Sequence, residues 1–331
     1  MEKDRNPLLD AMYSTIGFKI ILASIKLGIY DITHKPIIVE DASKKINANL
    51  RNIKLLFDSL VSLGLLDKQG QYYCNTALAK KYLTSASPDY IGGLLIMSYE
   101  STGIETANLS ELIQKGPAVS KIDSDAYEEV SSKDIDIMLH GQRGGYANQI
   151  CQIVERLNKE NTIEKILDLG GGPGVICAEI LKANMHMTGM VFELPYMKQH
   201  LENVIKTYSL ANRMSYICGD FIEDSIGTGY DLVIAIGCLN FAKRELANVL
   251  RKIYHALNKG GCMVCISEDI DQSEISPACM VTSWLPCRLT GIDMIMHSGE
   301  LLQPIKSYFK DVRTEKSELY IGPMEIIVAY K

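Results

Sequence analysis

Nine consecutive residues, Ile166-Leu167-Asp168-Leu169-Gly170-Gly171-Gly172-Pro173-Gly174, constrain this 331-residue chain more than any other segment. The apolar opening reads as a buried strand. The glycines let the backbone turn tightly and approach a ligand with no Cβ in the way, and a helix follows from about Val175. Such a loop needs a sheet to hold it, and the chain supplies one. From Glu164 onward, apolar runs alternate with helical segments: Ile166 to Leu169, Thr188 to Phe192, Ser215 to Cys218, Leu232 to Ile236 and Cys262 to Ile266. That alternation predicts βαβ units. Leu319 to Ile321 and Ile326 to Ala329, joined by Gly322-Pro323, predict a closing hairpin. The fold class is α/β, a doubly wound, mainly parallel, Rossmann-like sheet with a terminal antiparallel hairpin.

The loop suits two nucleotide chemistries. Glu193 lies 21 residues after Gly172, at the end of the next strand in Phe192-Glu193-Leu194-Pro195, where a carboxylate suits two ribose hydroxyls. A dinucleotide site asks for glycine three places after the second glycine, but that place is Val175, and it has no use for Asp168. An acid two residues before the first glycine makes sense for a ligand with a cationic amino-acid end, such as S-adenosylmethionine. Gly219-Asp220-Phe221, at the end of a later strand, offers a carboxylate to an adenine amino group and a ring to stack on. The three pieces together, each at a strand end, favour that ligand over tight turns alone.

The first 95 residues read differently. Leu8 to Leu27 carries Leu9, Met12, Ile16, Ile20, Ala23 and Leu27 at helical spacing and stops at Gly28. A short helix from Asp41 to Lys45 follows. Asn49 then leads a helix with Leu50, Ile53, Leu56, Leu60 and Leu63 on one face, and Leu65 to Tyr73 forms a two-strand wing turning at Gly70. This is a winged-helix pattern, read either as a DNA-binding or as a dimerisation module. Residues 1 to 90 hold twelve Lys/Arg against nine Asp/Glu, and the would-be recognition helix offers only Arg51 and Lys54. That is thin for phosphate and base contacts, and the net charge of −6 points the same way. The expected organisation is a winged-helix dimerisation domain over 1–95, a helical linker over 96–160 that contributes to an acceptor pocket, and a cofactor-binding catalytic domain over 161–331. The start lacks an apolar leader, the longest apolar runs, such as Leu232 to Leu239, fall short of a membrane span, and nine cysteines form no secreted framework. A cytoplasmic protein without membrane or nucleic-acid partners is expected.

On these residues the chain resembles the class I S-adenosylmethionine-dependent methyltransferases, in particular the two-domain small-molecule O-methyltransferases of the hydroxyindole and caffeate type. The likeness spans nearly the whole length. It includes Leu27-Gly28-Ile29-Tyr30-Asp31, Leu63-Gly64-Leu65-Leu66, the Asp168 to Gly174 loop, Phe192-Glu193-Leu194-Pro195, Gly219-Asp220-Phe221, and Lys259-Gly260-Gly261 ahead of a strand. The resemblance implies a homodimer formed through the N-terminal domain and cofactor contacts from Asp168, Gly170, Gly172, Glu193, Leu194, Asp220 and Phe221. Arg143 suits the cofactor carboxylate, and Cys238 lies at the mouth of its site.

One element of the family pattern is missing. O-methyl transfer there relies on a histidine in an L-H-D-W-type stretch. Counting back from Asn248-Val249-Leu250, this chain reads Cys238-Leu239-Asn240-Phe241-Ala242, with leucine where the histidine would stand. Three readings remain. His140 or His297 takes over as base, with Glu300 resembling the acid of a later G-x-x-x-E helix start. Alternatively the acceptor is already nucleophilic and proximity carries the rate, with Asn240 holding it. Or the protein binds cofactor without transferring methyl, as a non-methylating or winged-helix regulatory relative. The acceptor wall is read as apolar and adaptable, from Met280, Trp284, Leu285, Met294, Met296 and Met324, with Tyr146 nearby. No metal site is expected. Cys262 and Cys265 sit three apart in a strand and point to opposite faces, and Cys279, Cys287 and His297 are too loosely spaced.

Overall fold

The computed structural model describes residues 6–101, 106–116, 138–139, 141–143, 145–159, 162–289, 291 and 294–331. The chain divides into two compact units, Met1–Ser98 and Tyr99–Lys331.

In the first unit, helix α1 (Pro7–Lys26) starts where the Asn6 side chain accepts from the Leu8 amide, with Pro7 in the first turn. It stops at Gly28, whose φ of +66° the helix cannot continue. Helices Ile29–Ile32, Val39–Lys45 and Leu50–Ser62 follow, the last capped by Asn49. Strands β1 (Leu66–Gln69) and β2 (Tyr72–Asn75) form the antiparallel wing, turning at Gly70. Ile29, Tyr30, Ile53, Phe57, Leu60, Leu66 and Tyr73 make the core. Asn75 crosslinks it, accepting from Thr33 and donating to the Tyr30 carbonyl at 2.7 Å.

Periodicity misjudged two faces here. On Leu50–Ser62 the buried residues are Ile53, Phe57 and Leu60, whereas Leu50 and Leu63 are exposed. On α1 the core takes Leu22 and part of Ile20, Ile21 and Ile25, while Leu8, Leu9, Met12, Tyr13 and Ile16 face outward. At 20 residues α1 is also long and apolar enough, by length and composition, to cross a membrane. This corrects the expectation drawn from Leu232 to Leu239: the longest apolar element is a helix interrupted by single polar residues, which inspection of unbroken runs overlooks.

The second unit is built on a seven-stranded sheet in the order β5-β4-β3-β6-β7-β9-β8. Here β3 is Lys165–Leu169, β4 Thr188–Glu193, β5 Met214–Cys218, β6 Tyr230–Ile236, β7 Leu257–Glu268, β8 Asp311–Leu319 and β9 Gly322–Tyr330. Strands β3 to β7 pair in parallel, while β9 runs antiparallel to both β7 and β8. The terminal hairpin turns at Tyr320-Ile321, not at Gly322-Pro323, because Pro323 sits opposite Glu318 in the β8–β9 ladder. Lys259-Gly260-Gly261 likewise belongs to β7 and does not precede it.

Both faces of the sheet are covered. Ile166, Val191, Leu232, Ile234, Val264 and Ile266 pack with helices Tyr146–Leu157, Val175–Ala183 and Lys198–Thr207. Leu167, Leu169, Phe192, Val233, Ala235 and Met263 pack with Leu246–Ala256 and Leu302–Lys306. Cys262 falls in the first cluster and Cys265 in the second, the opposite-face placement expected of strand neighbours three apart. The chain steps outward from β3 through β4 to β5 and then crosses back to place β6 on the other side of β3. The carboxyl ends of β3 and β6 therefore border the crevice where such sheets bind ligands.

Candidate active site

The glycine loop fills that crevice. Gly170, Gly172 and Gly174 have φ of +64°, +58° and +79°, a region that side chains disfavour. Space is as restrictive as φ. A Cβ on Gly170 would lie 2.6 Å from the Cys238 Cβ, and one on Gly171 would lie 2.5 Å from the Asp168 carboxylate. The loop is pinned from the neighbouring strand: Gly170 donates to the Phe192 carbonyl at 2.9 Å, and Gly172 donates to Glu193 Oε2 at 2.8 Å. Glu193 Oε1 takes the Leu194 amide at 2.8 Å. One carboxylate thus fixes both the loop and the turn after β4.

Asp168 is 1% exposed, and its Oδ2 has no hydrogen-bond partner. Burial, with the Glu193 charge adding to it, pushes the carboxyl up to about 7. Glu193 is also raised, by burial, against the opposing pull of its two amide donors. On the strand beyond, Asp220 Oδ1 accepts from the Ile222 amide at 2.8 Å, and the Phe221 ring reaches toward Gly170. Asp168, Glu193 and Asp220 therefore stand in a row along the carboxyl edges of β3, β4 and β5.

The segment before β3 closes over this row. Met138 and Gln142 approach Gly172, and Tyr146 opens the next helix with its ring buried. Gln142 Oε1, Arg143 Nε and the Tyr146 hydroxyl are buried without partners. So are Asp168 Oδ2 and Asn240 Oδ1; of these five, Gln142 and Asp168 lie against the glycine loop and Asn240 in the turn after β6. Buried polar atoms are normally satisfied. Their concentration here marks a place built for a polar ligand with both donors and acceptors. Arg143 is only partly available, since its guanidinium stacks over Tyr208 at 5.6 Å.

The other sequence-derived residues divide. Cys238 is buried and donates its thiol to the Leu169 carbonyl at 3.0 Å, which sets it beneath the loop, with burial holding the thiol well above its ordinary value. Leu239 is 2% exposed in the core and Asn240 8% exposed, both in the turn Leu239–Ala242. Trp284 and Met280 come from helix Ala278–Leu289 and pack on the Tyr146 side of the sheet, with Met324 behind them. Met294 is half-buried and Met296 buried, whereas Leu285 is exposed. His140 lies outside the described residues.

His297 is held between two carboxylates. Its Nε2 faces Glu274 Oε1 at 2.8 Å and its Nδ1 faces Glu300 Oε2 at 3.1 Å. Arg288 and Lys243 complete the network on the same two carboxylates. Both ring nitrogens are thus within hydrogen-bond distance of the protein's own carboxylates. Glu300 sits in the turn before Leu302–Lys306, not at its first residue, and is held below its ordinary value by Lys243 and His297 against the cost of burial.

One residue of the site escaped the sequence reading. Glu268 ends β7, and its carboxyl is raised by burial. Its charge is felt at the Tyr146 hydroxyl, as is that of Asp168. Glu268 and Asn240 line one cavity of about 10 Å³, with Ser267 and Met296 among its other walls. The available signal was an acid at the end of an apolar strand, the same one that marked Glu193. Among the described residues no cluster of His, Cys, Asp and Glu suits a metal ion.

A two-sided sheet, a glycine loop at its switch point and an acid at each of the next two strand ends define a nucleoside-binding class I methyltransferase. Residues 9–85 match the O-methyltransferase dimerisation domain and residues 144–286 the O-methyltransferase domain, and the chain belongs to this S-adenosylmethionine-dependent family. It is 21% identical to the tetracenomycin polyketide synthesis 8-O-methyl transferase TcmO of Streptomyces glaucescens, over 86% of this chain and 84% of that one. It is 24% identical to the N,N-dimethyltransferase OxyT of Streptomyces rimosus, over 74% and 73%. The structure of human N-acetylserotonin methyltransferase in complex with SAM superposes with a TM-score of 0.75 at 20% identity, covering 100% of this chain and 99% of that one.

Proposed function

We propose that the protein transfers methyl from S-adenosylmethionine to a small aromatic or apolar acceptor whose O, N, S or C atom is already nucleophilic, mainly by proximity and orientation. Asp168 Oδ2 and Gln142 Oε1 are acceptors waiting for the cofactor's ammonium, with Arg143 Nε for its carboxylate. Gly170 and Gly172 give the backbone room, Glu193 and Leu194 serve the ribose, and Asp220 with Phe221 the adenine. When bound, the cofactor supplies a methyl group made electrophilic by its sulfonium. The row from β5 to β3 spans two interstrand spacings, roughly 10 Å, which suits adenine at one end and methionine at the other. The next strands, β6 and β7, then border the acceptor, where Asn240, Glu268, Tyr146, Trp284, Met280 and Met294 line its space.

The observation that carries this reading is Leu239, buried where the resembling enzymes use histidine, together with the engagement of both His297 nitrogens. Leu239→Met, close in volume, is expected to keep turnover within about threefold, measured as labelled methyl transferred per folded protein. A fall of a thousandfold, as from loss of a general base, would overturn it.

The dimerisation domain match and the outward apolar face of α1 support a homodimer through the N-terminal unit. That assigns the face to a second copy, in preference to membrane or DNA. Ile16 is 50% exposed in the single chain. Ile16→Glu is expected to convert dimer to monomer in light scattering with little change in the secondary-structure spectrum; a dimer that persists would place the interface elsewhere. The eight described cysteines are free thiols, which fits a reducing, cytoplasmic setting.

A further inference from the structure

Asp220 and Phe221 stand just beyond the outer strand of the sheet, since β5 pairs with β4 alone. Gly219 still donates to the Glu193 carbonyl at 3.0 Å. After it the chain folds into one helical turn, in which the Glu223 and Asp224 amides donate to the Asp220 carbonyl at 3.0 and 2.7 Å. The amide end of that turn is capped from within. Asp220 Oδ1 accepts from the Ile222 amide at 2.8 Å, and Asp224 Oδ2 accepts from the Asp220 amide at 2.9 Å. A lone helical turn does not hold itself together, because fixing its dihedrals costs more than its few bonds return.

Its carbonyl end is capped from a helix that comes later in the chain. Lys252, half-buried on helix Leu246–Ala256, donates to the carbonyls of Phe221 at 3.2 Å, Ile222 at 2.6 Å and Asp224 at 2.9 Å. An ammonium has three N–H groups, and the turn supplies three acceptors. The carbonyl end of a helical turn is its negative end, so a cation there is favoured by charge as well. Asn248, one turn earlier on the same helix, adds a bond to the Ile222 carbonyl at 3.2 Å, and Arg251 holds its Oδ1 at 2.9 Å. Ile222 and Phe221 also pack against the cluster that contains Val249, Leu250 and Ile253 of that helix.

We infer that Lys252 is a positioning residue for the base of the cofactor, fixing the Asp220 carboxylate and the Phe221 ring through the carbonyls of the turn that carries them. The inference rests on the methyltransferase reading and on the placing of adenine at Asp220 and Phe221. All three N–H groups of Lys252 are engaged by the turn, so its effect on the ligand is indirect. Hydrogen bonds are directional, whereas apolar contact tolerates displacement. A loosened turn therefore loses its choice of base before it loses its grip on the rest of the ligand.

The test is calorimetry on the full-length protein with S-adenosylhomocysteine and S-inosylhomocysteine, in which hypoxanthine replaces adenine. The adenine amino group donates to the Asp220 carboxylate, whereas the hypoxanthine oxygen in its place turns lone pairs toward it. The native protein is expected to prefer the adenosyl ligand by at least about tenfold. Lys252→Met keeps the apolar stem and removes the ammonium. It is expected to weaken S-adenosylhomocysteine about tenfold and to bring the preference below about threefold. Lys252→Arg, which still donates to the carbonyls, is expected to keep both quantities within about threefold of native. A methionine variant that binds both ligands as the native protein does, or loses both by the same factor, overturns the inference. Should that variant fail to fold, Asn248→Ala is expected to lower the preference by about two- to fourfold, and an unchanged preference there overturns the inference equally. Failure of S-adenosylhomocysteine to bind the native protein overturns the methyltransferase reading first. Native binding without a preference for adenine overturns the placing of the base on this turn, and the role of Lys252 falls with either.

Discussion

Replacing Asp168 with asparagine is expected to weaken S-adenosylhomocysteine binding by about ten- to hundredfold while raising the melting temperature of the ligand-free protein at pH 8. The first effect follows from losing a charge-assisted hydrogen bond, worth about 1.5–3 kcal/mol, to the ligand's ammonium. The second follows from proton linkage. The folded protein holds the Asp168 proton up to about pH 7, whereas the free carboxyl releases it near its ordinary value of 3.8. Between those values the folded state binds more protons, so stability falls as pH rises through that window and the full penalty stands above 7. Asparagine does not titrate, so its advantage is present at pH 8 and gone near pH 4. Ligand affinity in the native protein should likewise drop as pH falls below about 7, when the carboxyl that receives the ammonium is protonated. A variant that binds normally, or melts lower at pH 8, would remove Asp168 from its assigned place.

Gly170→Ala is expected to lower the melting temperature by roughly 5–15 °C. Two costs add: about 1–2 kcal/mol for a side chain at positive φ, and about 1–3 kcal/mol for forcing a methyl against Cys238. A kcal/mol is worth roughly 2–4 °C in a unit of this size. The two costs separate in a double mutant. Cys238→Gly removes the facing Cβ, 2.6 Å from where the alanine methyl would stand, and should recover the crowding cost but not the dihedral cost. Differential scanning calorimetry of the four proteins measures both. A Gly170→Ala shift under about 2 °C would mean that the loop can move aside, contrary to its anchoring on Phe192 and Glu193.

The sheet and its loop were legible because their signals are local. Asp168, the glycines and Glu193 lie within 26 residues, and each strand run announced itself by apolar length. Glu268 was not legible, because nothing in Cys265-Ile266-Ser267-Glu268 shows that β7 lies beside β6 and shares a cavity with Asn240. The partners of His297 were not legible either. Its sequence neighbourhood resembled a lid over an acceptor, but Glu274, 23 residues earlier, folds onto the second ring nitrogen. Helix spacing on α1 showed an apolar stripe correctly and gave no information on whether that stripe faces its own chain. The hairpin turn moved because Gly322 and Pro323 signal a turn equally well on either side of position 321.

The outward face of α1 carries a thermodynamic consequence for the proposed dimer. Apolar side chains left uncovered by their own unit are buried only by a second copy, so association supplies part of the free energy that keeps the N-terminal unit folded. Stability then obeys mass action: it grows with the logarithm of protein concentration and shrinks on dilution. A catalyst with this arrangement is sturdiest where it is abundant, and its abundance in a cell sets how firmly each copy holds together.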